Sequence, residues 1–226
     1  MSQLHEVAEQ LGEVFEGYFS ALHELRVAVE AGLARGDGID QLVLDFVGPR
    51  LMDPATTVVG AGFIGGPGSA AGESIHFAWW LGPLEDNPLL GTTTEVTRLD
   101  LAAREYADYL RDFTNMEWYS VPESTGDRHI TGPYVDHLCT CDYMLTLTSP
   151  VGSPALGVVG LDILVRQIEP GVLHLLRSLQ GPAALLSSTG RIIASTSEHW
   201  ELGASLQDHE GVRVPGTSLV VAKIFN

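Results

Sequence analysis

The sequence predicts an α/β (α+β) fold with a long amino-terminal helix, a central antiparallel sheet of five or six strands, and a small carboxy-terminal subdomain. Three observations carry that reading. Apolar residues recur at three- and four-residue steps from Leu4 to Val29, which is the period of an amphipathic helix. The β-rich runs between Ile130 and Val165 are joined by connections too short for helical crossovers, so those strands must pair antiparallel. Beyond Gly181-Pro182 only short β-like runs remain. The expected units are residues 1–35 (helix), 36–181 (main module) and 182–226 (abbreviated second subdomain).

The first helix carries Leu4, Val7, Leu11, Val14, Tyr18, Leu22, Leu25 and Val29 on one stripe, with Glu6, Glu9, Glu13 and Glu16 on the other faces, and should end near Gly32 or Gly36. Packing on its own domain explains this stripe. Nearly four heptads of such spacing also suit a self-pairing seam, and a homodimer through it is expected. Ile39 to Val47 follows as a short helix stopped by Pro49. Thr57 to Ile64 and Ile75 to Leu81 read as a hairpin around the flexible turn at 65–72. Thr92 to Thr97 suits a short strand, and Asp100 can cap a helix running to about Leu110.

Glu117-Trp118-Tyr119 reads as an extended piece, followed by a loop from Pro122 to Asp127. The meander comes next, with strands at Ile130–Asp136, Tyr143–Thr148 and Leu156–Val165, then a helix over Glu169–Leu179. Ala183–Ser187, Arg191–Thr196 and Thr217–Ile224 form the last, smaller sheet.

Composition bounds what such a molecule can do. The chain has 226 residues, 45% of them hydrophobic, enough for a substantial core. Its 12 Lys plus Arg stand against 29 Asp plus Glu, a formal net charge of -17, which repels nucleic-acid phosphates and anionic lipid surfaces. Neither nucleic acid nor membrane is an expected partner. No run approaches a membrane span, and Glu6, Glu9 and Glu13 stand where a signal peptide would be basic and then apolar. The expected location is cytoplasmic, with Cys139 and Cys141 as free thiols.

Asp162 interrupts the apolar run Leu156–Val165, where an uncompensated buried charge costs several kcal/mol. Either it is a structural carboxylate held by backbone amides or an internal Arg, or it awaits a cationic ligand. In an extended segment Tyr134 and Asp136 share a face, as do Met116 and Trp118. Carboxylates beside aromatic rings suit a small organic cation, which the rings attract and the acids neutralise. A plain aromatic core is the competing reading of the same stripe.

The ordered set Trp118-Tyr119, Pro133-Tyr134-Val135-Asp136 and Gly160-Leu161-Asp162 resembles the Cache sensor family, specifically its dCache type with a PAS-like ligand-binding module. In the amino-acid-sensing branch, the resemblance implies that Tyr134, Asp136 and Asp162 hold a ligand ammonium and that Trp118 and Tyr119 are the aromatic positions. Two departures matter. Where that branch has an Arg two residues before the Trp to grip a carboxylate, this chain has Met116; Arg111 and Arg128 lie nearby but out of register. Membrane Cache sensors also carry transmembrane helices and an output domain, so the chain resembles a free-standing Cache protein whose signalling partner is a separate polypeptide.

Signals for catalysis are weaker. His137, Cys139, Cys141 and Asp142 cluster without the usual zinc spacing. Ser187 to Gly190 lacks a nucleophile elbow, and Gly60-Ala61-Gly62 runs on into a hairpin rather than a phosphate loop. No cofactor is called for. The expected function is a non-catalytic sensor for an amine or amino-acid-like ligand, acting through a partner. The alternatives are a metal-dependent or hydrolytic enzyme, or a structural dimerisation module with a vestigial pocket.

Overall fold

A computed structural model of the chain describes residues 2–69, 75–85, 91–99, 113–136, 140–207 and 209–224. Helix α1 (Gln3–Arg35) is the spine. Its apolar stripe Val7, Leu11, Phe15, Phe19, Leu22, Leu25 and Val29 is buried, and the helix stops at Gly36, whose φ of 73° lets its N–H turn back to the carbonyls of Gly32 and Leu33. α1 packs on α2 (Ile39–Leu51), on β5 and β6 of the main sheet, and on β9 and β10 of the small one. The stripe that could have formed a self-pairing seam is therefore consumed within the chain. Val14 alone of that spacing turns outward, at 45% exposure.

The main sheet has six strands in the order β3-β2-β1-β6-β5-β4, every pair antiparallel: β1 (Val58–Gly65), β2 (His76–Leu81), β3 (Thr97–Arg98), β4 (His129–Asp136), β5 (Asp142–Val151) and β6 (Gly157–Leu164). A second sheet of four strands, ordered β8-β7-β10-β9, is built from β7 (Ala183–Leu186), β8 (Ile192–Ser195), β9 (Glu210–Arg213) and β10 (Val220–Lys223). The fold is thus the α+β arrangement that the residue patterns predict. One apolar core runs from α1 through Leu145, Leu147, Leu161 and Ile163 of the main sheet to Leu185, Val214 and Val221 beside the small one.

β3 covers only Thr97–Arg98 where a strand over Thr92–Thr97 is expected, β9 is a strand the sequence does not signal, and three helices also depart from expectation. α2 passes through Pro49 and ends at Leu51, because a proline near a helix end sacrifices only one hydrogen bond, which packing of Val47 and Leu51 offsets. The segment expected as an extended piece and a loop is helix α3 (Glu117–Thr125), with Pro122 inside it and Gly126 (φ 74°) ending it. Ser124 and Thr125 hydroxyls bond back to the carbonyls of Ser120 and Val121, the local pattern that lets such residues sit in a last helical turn. Finally, α4 spans Val165–Leu176 rather than 169–179. It leaves β6 without a loop because Val165, Ile168, Val172 and Leu176 already lie at helical spacing and are buried. The helix expected at 100–110 lies outside the described residues.

Candidate binding site beside Asp162

Alternation along β6 sends Val159, Leu161 and Ile163 to the α1 side and Val158, Asp162 and Leu164 to the other. Asp162 therefore faces α3, not the main core. On that side the sheet floor is thinned by glycines. A β-carbon on Gly60 would lie 2.9 Å from Trp79 Nε1 and 3.3 Å from Asp162 Oδ2, and one on Gly160 would lie 3.0 Å from Trp79 Cη2. The indole lies across both glycines, so its N–H and the free oxygen of Asp162 meet the same small space above Gly60.

Asp162 pairs across the strands with Thr146 of β5. The Thr146 hydroxyl donates to Asp162 Oδ1 at 2.6 Å, and Tyr134 Oη lies 2.7 Å from Thr146 Oγ1. Since the single hydroxyl proton of Thr146 is committed to the carboxylate, Tyr134 donates to Thr146. Neither a backbone amide nor an internal Arg satisfies Asp162 among the described residues; a threonine does, through a tyrosine. The carboxyl is half-buried, reached by solvent on one side yet surrounded by enough protein to lose most of its hydration. That desolvation pushes its pKa up to about 7; the Thr146 bond opposes the rise and the charge of Asp136 adds to it.

Tyr134 and Asp136 share the site face of β4, as alternation requires. Between Thr131 and Tyr134 the register shifts by a bulge, which needs Gly132: its φ is 119°, and a β-carbon there would meet the Met144 carbonyl oxygen at 2.5 Å. Asp136 is half-buried, and its Oδ2 accepts from the Thr140 amide at 3.1 Å. Met116, just before α3, and Trp118, in its first turn, line a cleft of about 510 Å³ with Thr131 to Val135 and Tyr143. Ser188, Thr189 and Arg191, from the turn between β7 and β8, also line it. Tyr134 is the partition: its ring lines the cleft and its hydroxyl joins the chain to Asp162.

Not every expected residue comes to this place. Tyr119 is turned into the packing beneath α3, edge-on to Phe113 at 4.6 Å, with burial raising the pKa of its phenol. Its hydroxyl abuts Gly66, where a β-carbon would come within 2.5 Å. Arg128 does not substitute for the missing arginine at position 116. It is clamped by Glu16 of α1 through two bonds of 3.0 and 2.6 Å, lies 4.2 Å over the Phe19 ring and donates to the Gly216 carbonyl. Arg111, His137 and Cys139 lie outside the described residues; Cys141 is exposed, and Asp142 pairs with Arg166 at 2.7 Å. Sequence reasoning missed Thr146, Trp79 and Arg191. The cross-strand register signals Thr146 once Asp162 is singled out, whereas nothing local signals Arg191.

A larger depression of about 860 Å³ opens elsewhere, by the end of α1, lined by Arg26, Glu30, Asp37, Ser153 and Leu156 among others. It is broad and open, and holds none of the residues singled out by sequence.

The fold has known counterparts. The chain superposes on the ligand-binding domain of the Pseudomonas fluorescens chemoreceptor CtaA, solved with L-valine, with a TM-score of 0.60 and 14% identity over 97% of this chain and 92% of that one. It matches the ligand-binding domain of the Pseudomonas aeruginosa PAO1 amino acid chemoreceptor PctC, solved with GABA, with a TM-score of 0.54 and 16% identity over 96% and 94%. The extracellular domain of a histidine kinase, mmHK1S-Z2, gives a TM-score of 0.63 and 13% identity over 97% and 92%. No family model matches the sequence, and no curated protein does. The chain shares its fold with these chemoreceptor and histidine-kinase sensor domains. No described helix is long and apolar enough to cross a membrane.

Proposed function

We propose that this chain is a non-catalytic sensor that binds a small amine or amino-acid-like ligand and signals through a separate protein. One observation carries the reading. Asp162 is a carboxyl in a largely desolvated position that no protein cation compensates among the described residues, and it is held in place by a relay from the cleft wall. A ligand ammonium would supply the missing charge, and Met116, Trp118 and Tyr134 give the neighbouring cleft an aromatic and thioether surface. Asp136 adds negative potential. The ligands named for CtaA and PctC, L-valine and GABA, both carry an ammonium group, which agrees with this chemistry.

The test is a thermal-shift and calorimetric screen of amines and amino acids, since a ligand that binds the native state raises stability by mass action. A hit should lose at least about tenfold in affinity, about 1.4 kcal/mol, on Asp162→Asn. Binding that is indifferent to Asp162→Asn makes the residue structural, and a broad library without a hit favours a dimerisation module. A homodimer would have to use a surface other than the buried stripe of α1. The exposed thiol of Cys141 supports a reducing, cytoplasmic setting, which cell fractionation checks.

A further inference from the structure

Two hydrogen-bond donors on the sheet floor are committed and a third is not. Thr146 gives its hydroxyl proton to Asp162 Oδ1, and Tyr134 gives its own to Thr146. The third donor is the indole of Trp79, a residue only 5% exposed. Its Nε1 has no acceptor among the described residues, although a buried indole N–H ordinarily finds one. Two glycines make room for this ring: β-carbons on Gly60 and Gly160 would come within 2.9 and 3.0 Å of it. Trp79 Nε1 and the free Oδ2 of Asp162 both border the place that a Gly60 β-carbon would take, at 2.9 and 3.3 Å, and Leu81 Cδ2 closes it at 3.0 Å. Of the two polar atoms that meet there, the nitrogen can only donate and, once Asp162 is ionised, the oxygen can only accept.

We propose that Trp79 is a specificity-determining residue of this site, and that the ligand class is a vicinal amino alcohol, a small amine with a hydroxyl on the neighbouring carbon. The inference rests on the amine-binding reading above and deepens it. An ammonium satisfies Asp162 Oδ2 but has no lone pair, so a bare amine that displaces water from this place leaves the indole N–H unpaired. A hydroxyl accepts from Trp79 through a lone pair and keeps its own proton for the carboxylate. Both protein atoms border the place of a single β-carbon, so the hydroxyl has to sit on the carbon next to the one that bears nitrogen. A site with a buried donor of this kind rejects the analogue that lacks the hydroxyl, because the donor is then left without a partner. A carboxylate in the hydroxyl's place would also accept from Trp79, but it would set a second negative charge against Asp162, which disfavours it.

Probes that exchange a hydroxyl for a methyl group isolate the effect. 2-Aminoethanol is compared with propylamine, and 1-amino-2-butanol with 2-methylbutylamine, by calorimetry at pH 8 in phosphate buffer on the wild-type chain, Trp79→Phe and Asp162→Asn. In the wild type, at least one hydroxyl-bearing probe should bind at least about fivefold more tightly than its methyl partner. Trp79→Phe keeps an aromatic ring over the glycines and removes the N–H. It should bring that pair to parity and leave the affinity of the methyl partner within about twofold, which also shows that the variant is folded. If the variant does not fold, heteronuclear NMR of the wild type decides: the Trp79 indole N–H should move downfield with the amino alcohol and not with its methyl partner. Equal affinities within both pairs, a hydroxyl preference that survives Trp79→Phe, or an indole signal that does not respond overturns the proposal, and where binding still depends on Asp162 the amine reading stands. Binding that is indifferent to Asp162→Asn, or absence of binding by all four probes, overturns both.

Discussion

The two faces of the central sheet are built by the same strands and obey opposite rules. Toward α1 the strands present Phe63, Leu145, Leu147, Val159 and Ile163, none of them measurably exposed. Toward α3 they present Gly60, Gly62 and Gly160, the threonines 146 and 148, and one carboxyl, Asp162, with Trp79 laid over the glycines. The first face excludes water by filling space. The second also buries Val158 and Leu164, but its glycines leave room beside them, and its carboxyl is held along a short hydrogen-bond chain. A period of two lets one β-meander carry both without compromise, because a substitution on one face does not reach the other.

The largest effect should come from breaking the filled face. Leu147→Ala removes a fully buried side chain between β5 and α1, and chemical denaturation should show a loss of about 3 kcal/mol, with the amine binding of the remaining folded protein little changed.

Next in size is a pH effect confined to the open face. Asp162 holds its proton to about pH 7 when folded, against about 3.9 when unfolded. The folded state therefore binds more protons between those values, and its stabilising contribution, complete below the unfolded pKa, is lost as pH rises through 7. Asp162→Asn cannot titrate. Since the carboxyl is partly reached by water, the variant should be more stable than the wild type by about 2 kcal/mol at pH 8 and similar to it at pH 4. Denaturation at the two pH values checks this; equal differences would place the carboxylate in a well-solvated position. Amine affinity should follow the opposite course, rising with pH through 7 as Asp162 ionises.

Thr146→Val keeps the shape of the strand and removes the hydroxyl bond that opposes the raised pKa. The pKa of Asp162 should move further up, and amine affinity at pH 7 should fall by about threefold to tenfold, near 1 kcal/mol. The smallest change is expected far from the cleft. Arg128→Ala breaks the paired bonds to Glu16 on a largely solvated surface and should cost no more than about 1 kcal/mol, without altering ligand preference.

The filled face was the more legible of the two in the sequence. Its residues announce themselves by period alone: the stripe of α1 and the alternation of β5 and β6 need no knowledge of what they pack against. Asp162 was also legible, because a carboxyl within an apolar run is conspicuous, and Tyr134 and Asp136 followed from strand alternation. The errors gathered where the chain leaves regular pairing. Glu117 to Thr125 reads as strand and loop because Trp118, Tyr119 and Pro122 favour neither a helix interior nor its middle turns, and only Gly126 marks the helix end. The resemblance makes Trp118 and Tyr119 both aromatic positions of the site; in a helix, neighbours diverge by about 100°, so one faces the cleft and the other the packing. Arg191 was beyond reach, since it enters from a sheet whose placement depends on tertiary contacts with α1.

The hydrogen-bond chain at the floor has a further property, which follows from counting its protons. With Asp162 ionised, the hydroxyls of Thr146 and Tyr134 both point inward, toward the charge. A proton on Asp162 at the oxygen facing Thr146 turns the carboxyl into a donor, and the sequence of bonds can run the other way, Thr146 giving its hydrogen to Tyr134 and Tyr134 turning its own toward the Met144 sulfur 3.7 Å away. One proton, or one ligand ammonium that displaces it, thus sets the polarity of a wire whose outer end is an aromatic residue in the cleft wall. An event on the sheet floor is written as a direction at the surface, without any backbone having to move.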